Sequence, residues 1–129
     1  MTPSPKLITE LAANEIFVFG SNLSGIHGAG AAYTAHKQFG AEWAVVEGMT
    51  GQCYAIPTKA RNVWASLSLD RIGASIERFL KVAAATPDKI FLVTEIGCGY
   101  AGYEPKDIAP LFHDNEIPAN VRLPERFIL

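Results

Sequence analysis

The apolar positions of this chain follow two different periods. Over residues 69–83, Leu69, Ile72, Ile76, Phe79 and Ala83 recur every three or four positions, which makes one apolar stripe on an α-helix. Asp70, Arg71, Glu77, Arg78 and Lys81 fall mainly off that stripe. Ser66 or Ser68 can cap the start, and Thr86-Pro87 ends the helix. This helix reads as a core cover without chemistry. Elsewhere the apolar residues come as short unbroken runs, the pattern of strands covered on both faces. Residues 15–20, with Phe17, Val18 and Phe19, form one such run and residues 89–94 another. Trp43 to Val46 and Cys53 to Ile56 are further strand candidates, the latter closed by Pro57, with a turn over Gly48 to Gly51 between them.

A second helix is expected from about Gly28 to Phe39, with Ala32, Ala35 or His36, and Phe39 on one side and Gly40 as its stop. A third, short helix opens at Glu104-Pro105-Lys106-Asp107 and runs to about Phe112, with Pro105 suited to its first turn. Residues 1–6 read as a loose end, because Pro3 and Pro5 block regular structure. Residues 7–11 fit either a short edge strand or a turn of helix. Residues 57–65 read as a loop. The last stretch, 120–129, alternates weakly and fits an edge strand or a cover over an apolar face; Pro124 argues against a central strand. The order is strand, helix, strand, strand, helix, strand, helix. That predicts an α/β domain with a mixed central sheet and helices on both faces, one unit over residues 1–129.

Composition narrows the classes. The chain has 129 residues, 49% of them hydrophobic and 19% charged, enough apolar material for a core in a single domain. A net charge of -2 with scattered Lys and Arg makes no electrostatic case for duplex DNA or an anionic membrane. No apolar run has the length of a membrane span, and no signal peptide is expected at the N-terminus. Cys53 and Cys98 are far apart, so reduced thiols in a cytoplasmic protein are expected rather than a disulfide scaffold. His27, His36 and His113 do not stand at metal-ligand spacing, and neither a metal nor a cofactor is expected.

The candidate chemistry lies in two glycine-rich loops. Gly20, Gly25, Gly28 and Gly30 follow the first strand and precede a helix. A strand, a glycine turn and a helix start leave unpaired N–H groups aimed at one spot, and the helix dipole favours an anion there. The loop is neither a strict dinucleotide fingerprint nor a Walker loop. Glu95-Ile-Gly-Cys-Gly-Tyr-Ala-Gly102 is the second loop, also after a buried strand. Two such loops can grip the two sides of a diphosphate and leave a pocket for ribose between them. Lys59 and Arg61 lie just past a strand end, where ligands collect in open α/β sheets; Arg61 reads as a solvated loop charge.

His27-Gly-Ala-Gly-Ala-Ala with Phe39-Gly, Tyr54-Ala-Ile-Pro-Thr-Lys59, and Ile96-Gly-Cys-Gly-Tyr-Ala-Gly102, in that order and spacing, resemble the macrodomain family. The nearest branch is that of the terminal ADP-ribose protein glycohydrolase, and the likeness covers about residues 15–112. It implies a three-layer α/β/α sandwich that binds ADP-ribose or a related nucleotide, free or on a modified macromolecule. By the same likeness Gly20, Ser21 and Asn22 belong to the ligand site, the last two beside the distal ribose. Gly28, Ala29, Gly30 and Ala31 would touch the diphosphate from one side. Gly97, Cys98, Gly99, Tyr100, Ala101 and Gly102 would close over it from the other. In that branch a lysine attacks the ribose, and Lys59 stands at the matching place. The branch also uses a loop aspartate as acid–base partner, and the matching residue here is Ala101, which cannot transfer a proton. Glu95 and Glu104 flank the loop as substitutes. Cys98 reads as a small residue packed beneath the loop rather than a nucleophile. Binding without turnover is the leading expectation. ADP-ribosyl hydrolysis using Lys59 is the alternative, and an interaction protein that has lost its ligand comes third.

Overall fold

The computed structural model of the chain describes residues 2–62 and 65–128. Met1, Val63, Trp64 and Leu129 lie outside them, and with them those parts of the loop and terminal readings. The elements in chain order are β1 (Glu15–Asn22), α1 (Gly30–Gln38), β2 (Gly48–Thr50), β3 (Cys53–Lys59), α2 (Leu69–Ala84), β4 (Ile90–Val93), α3 (Pro105–His113) and β5 (Val121–Arg122), with a final 3-10 turn at Glu125–Phe127.

One mixed sheet runs in the order β2-β3-β1-β4-β5. β1 pairs in parallel with β3 and with β4, β4 pairs in parallel with β5, and only β2 is antiparallel. The period-2 alternation of the strands sends side chains to two cores. Ile16 and Val18 of β1, Tyr54 and Ile56 of β3, and Phe91 and Val93 of β4 meet Ile72, Ile76 and Phe79 of α2 and Ile108 and Phe112 of α3. Phe17, Phe19, Cys53 and Ala55 face the other way, onto Ala32 and Ala35 of α1 and onto Phe39. The result is the expected α/β/α sandwich. Each fully buried large side chain contributes about 1.5–3 kcal/mol, so the α2/α3 face supplies most of the stability. Among the described residues no helix is long and apolar enough to cross a membrane.

The stripe on α2 places Ile72, Ile76, Phe79 and Ala83 in the core as expected, and Ser68 rather than Ser66 caps the helix, accepting from the Arg71 N–H at 3.3 Å. Glu104 caps α3; its N–H donates to the Asp107 carboxylate at 3.0 Å, and Pro105 opens the helix. Five expectations fail. Residues 43–46 are not a strand: Ala44 takes a positive φ of 76°, and its N–H donates to Gly25 O at 3.0 Å, so a long-range contact overrides the local pattern. The strand lies instead at Gly48–Thr50, most of the expected turn, and forms a hairpin with β3. Nor does β3 stop at Pro57; it continues to Lys59, with Pro57 opposite Ser21. β2 pairs with β3 only up to Ala55, so Pro57 sits where β3 has a free side and a missing N–H is tolerated. α1 begins at Gly30, two residues later than expected, and has no side-chain cap. Residues 7–11 adopt neither of their two expected forms.

Candidate functional site

The C-terminal ends of β1, β3 and β4 open side by side at one edge of the sheet, and a cavity of about 460 Å³ lies over them. Of the residues singled out in the sequence, Gly20, Ser21, Asn22, Gly28, Ala29, Gly30, Ala31, Lys59, Gly97, Gly99, Tyr100 and Ala101 line it. Loops separated by about seventy residues are thus brought to opposite walls of one space. A Cβ on Gly30, where φ is +62°, would come within 3.1 Å of the Tyr100 ring, so the two loops are nearly in contact there. Gly97, with φ +78°, has no room for a side chain either: its Cβ would stand 2.8 Å from Ile108 Cδ1. These are the positions at which glycine sets the shape of the site.

Cys98 and Gly102 do not line this cavity. Cys98 packs against the α2/α3 core and borders a separate hollow with Tyr103, Glu104 and Arg126. Burial, reinforced by the charge of Glu95, pushes its thiol up to about 11, which leaves it protonated and unsuited to nucleophilic attack at neutral pH. Arg61 is exposed and outside the lining.

Each wall has its own fastening. The Asn22 carboxamide bridges its own loop: Nδ2 donates to Ile26 O at 2.8 Å, while Oδ1 accepts from Ser24 Oγ at 2.6 Å and from the Ile26 N–H at 3.1 Å. Ser21 Oγ donates to Val46 O. Both side chains expected beside a ribose therefore hold the protein's own backbone. On the opposite wall, Ser66 Oγ donates to Ala101 O, and the Tyr103 hydroxyl donates to Leu67 O at 2.6 Å. The N-terminal amides of α1, uncapped by any side chain, lie in the first wall, and amides without intrahelical partners favour an anion.

Among the described residues Lys59 is the cation of the lining. Its Nζ stands 5.8 Å from the centroid of the Tyr100 ring, and among the described residues it makes no ion pair. Glu95 also borders the cavity, but its carboxylate is held by Arg126 in a two-point pair, Nε to Oε2 at 2.7 Å and Nη2 to Oε1 at 2.6 Å. That guanidinium holds the Glu95 carboxyl below its ordinary range. Glu104 is outside the lining and pairs with Lys106 at 3.1 Å. Both carboxylates are thus paired within the protein, and only Glu95 borders the cavity. Sequence reasoning missed Ile26, Ala32, Thr58, Thr94 and Ile96, which complete the lining. Thr58 and Thr94 end apolar strand runs with a hydroxyl, a signal that could have marked them. A second cavity of about 660 Å³ adjoins the first, sharing Ala31, Thr94 and Glu95, and extends beneath Pro3, Pro5 and Ile8 to Pro124.

Among solved structures the chain is similar to the macrodomain of Mycobacterium tuberculosis DarG, with a TM-score of 0.69 and 20% identity over 97% of this chain and 99% of that one. The fold is that of a macrodomain. No family model matches the chain, and no curated protein matches it in sequence.

Proposed function

We propose that the protein binds ADP-ribose or a related ADP-ribose-containing nucleotide, with the diphosphate held between the two glycine-rich loops. The observation that carries this reading is the convergence of residues 28–31 with Gly97 and residues 99–101 on one cavity that Lys59 also lines. Backbone amides supply the anion site, which fits a protein of net charge -2. The adjoining cavity, where Pro3, Pro5, Ile8, Phe17 and Pro124 line apolar walls and Lys6, Glu125 and Arg126 are also present, suits the flat base at the nucleoside end. Gly20, Ser21 and Asn22 shape the ribose end. The partner is then the free nucleotide or an ADP-ribosylated macromolecule. Calorimetry with ADP-ribose should give a micromolar Kd, about -8 kcal/mol. Absence of both heat and thermal shift rejects the reading.

The placement of Lys59 on the lining supports a second reading, ADP-ribosyl hydrolysis through attack by its amine on the ribose. Against it stand Ala101 and the engagement of Glu95 by Arg126. Deribosylation that is lost in Lys59→Ala would establish it; no activity in the parent, or unchanged activity in the variant, disposes of it.

A further inference from the structure

The first loop rests on an imidazole that has one unpaired nitrogen. His27 is 0% exposed. Its ring meets Phe19 edge-on at 5.5 Å and Trp43 at 5.7 Å. Nε2 lies 3.0 Å from the Glu42 carbonyl oxygen. A carbonyl only accepts, so Nε2 carries the proton and Nδ1 is bare. Nδ1 is buried without a hydrogen-bond partner among the described residues. The anchor itself is firm, because the Glu42 N–H donates to Thr50 Oγ1 of β2 at 2.7 Å. The chain neighbours of His27, Ile26 and Gly28, both line the cavity.

We propose that His27 is a positioning residue for ligand binding: its neutral ring, bonded through Nε2–H to the Glu42 carbonyl, holds the 26–31 loop in its ligand-ready form, and protonation at Nδ1 releases it. The inference rests on the reading of the cavity as an ADP-ribose site. A proton on Nδ1 would bury an N–H with no acceptor and a charge with no counter-ion. The titratable groups facing the ring are His36 of α1, its ring 6.2 Å away and its Nδ1 bonded to Ala41 O at 2.8 Å, and Glu42, whose side chain is exposed. Phe19 and Trp43 bring no charge. Burial lowers the His27 pKa, the Glu42 carbonyl raises it, and His36 lowers it again; the net direction is down from the ordinary value of about 6.5. The neutral ring therefore persists at neutral pH. Because the unfolded chain takes up this proton first, the stabilisation is full above about 6.5 and is lost as pH falls through the lower folded-state value.

The test is ADP-ribose calorimetry from pH 7.5 to 5.0 on the full chain and on His27→Gln and His27→Phe. Ring nitrogen spectra and loop amide protection factors are recorded alongside without ligand. The ligand's diphosphate stays ionised throughout. Wild-type affinity should fall tenfold or more towards pH 5, with loop protection falling in step. His27→Gln keeps a donor for the Glu42 carbonyl without titrating, so its affinity should match wild type at pH 7.5 and stay flat. His27→Phe fills the space without a donor and should bind about tenfold more weakly at every pH. Matching pH profiles for wild type and His27→Gln overturn the proposal, as does a neutral ring protonated at Nδ1. If ADP-ribose binds at no pH, the ligand reading fails, and the ring spectra and protection factors of the unaltered chain still decide the role of His27. They decide it equally if a variant does not fold.

Discussion

The loop after β1 is held mainly by polar groups, whereas the loop after β4 adds an apolar floor to the bonds of Ser66 and Tyr103. In the first, the Asn22 carboxamide bonds the Ile26 backbone within the loop itself, while the Ser21 hydroxyl and the His27 imidazole bond carbonyls of residues 42–46, a segment with no regular structure beyond a turn. In the second, Ile96 is buried, Gly97 abuts Ile108 of α3, and Cys98 and Tyr103 pack on the α2/α3 core. Polar fastenings are local and switchable; apolar packing ties a loop to global stability. The first wall is therefore expected to open locally at a lower free energy than the second.

The largest effect is expected where the second loop meets the core. Ile108 is 0% exposed, so Ile108→Ala should cost about 2–5 kcal/mol in denaturant unfolding and weaken ADP-ribose binding along with it. A loss confined to binding would break the contrast, since the loop would then be separable from the core. Next comes Asn22→Ala, which removes three hydrogen bonds inside the first loop. Because the group is not deeply buried, the expected cost in stability is about 1 kcal/mol. The effect on ligand should exceed it, with affinity down about tenfold or 1.4 kcal/mol. Equal losses in stability and binding would show that the first loop is no more local than the second.

This contrast was only half legible in the residues. Glycine spacing marks both loops because only glycine tolerates positions such as 30 and 97, and the 3.6 period of α2 is a local property of its own sixteen residues. What holds the loops is not local. The turn at residues 43–46 depends on Gly25, some twenty positions earlier, and its apolar run reads as a strand until that contact is known. Glu95 looks like an available acid beside a glycine loop until Arg126, thirty-one residues on, takes both of its oxygens. His27 failed a search for metal-ligand spacing because its partner is a backbone carbonyl, which no side-chain motif records. β2, three residues with no alternation, carries too short a pattern to outweigh its glycine.

The smallest effect is expected at the point where the walls meet. Tyr100 is 73% exposed, with Gly30 close to its ring edge and the Lys59 ammonium 5.8 Å from its ring centroid. An exposed ring contributes little to the fold, so Tyr100→Ala should shift stability by no more than about 0.5 kcal/mol. It should still weaken ADP-ribose binding two- to five-fold, since an exposed cation–π contact is worth about 0.5–1 kcal/mol and its loss frees the Lys59 side chain. Tyr100→Phe keeps the ring and should bind as the parent does. If the alanine variant instead unfolds as readily as Ile108→Ala, the second loop is held at its rim rather than by its floor. If alanine and phenylalanine bind alike, the ring plays no part in holding Lys59 over the cavity.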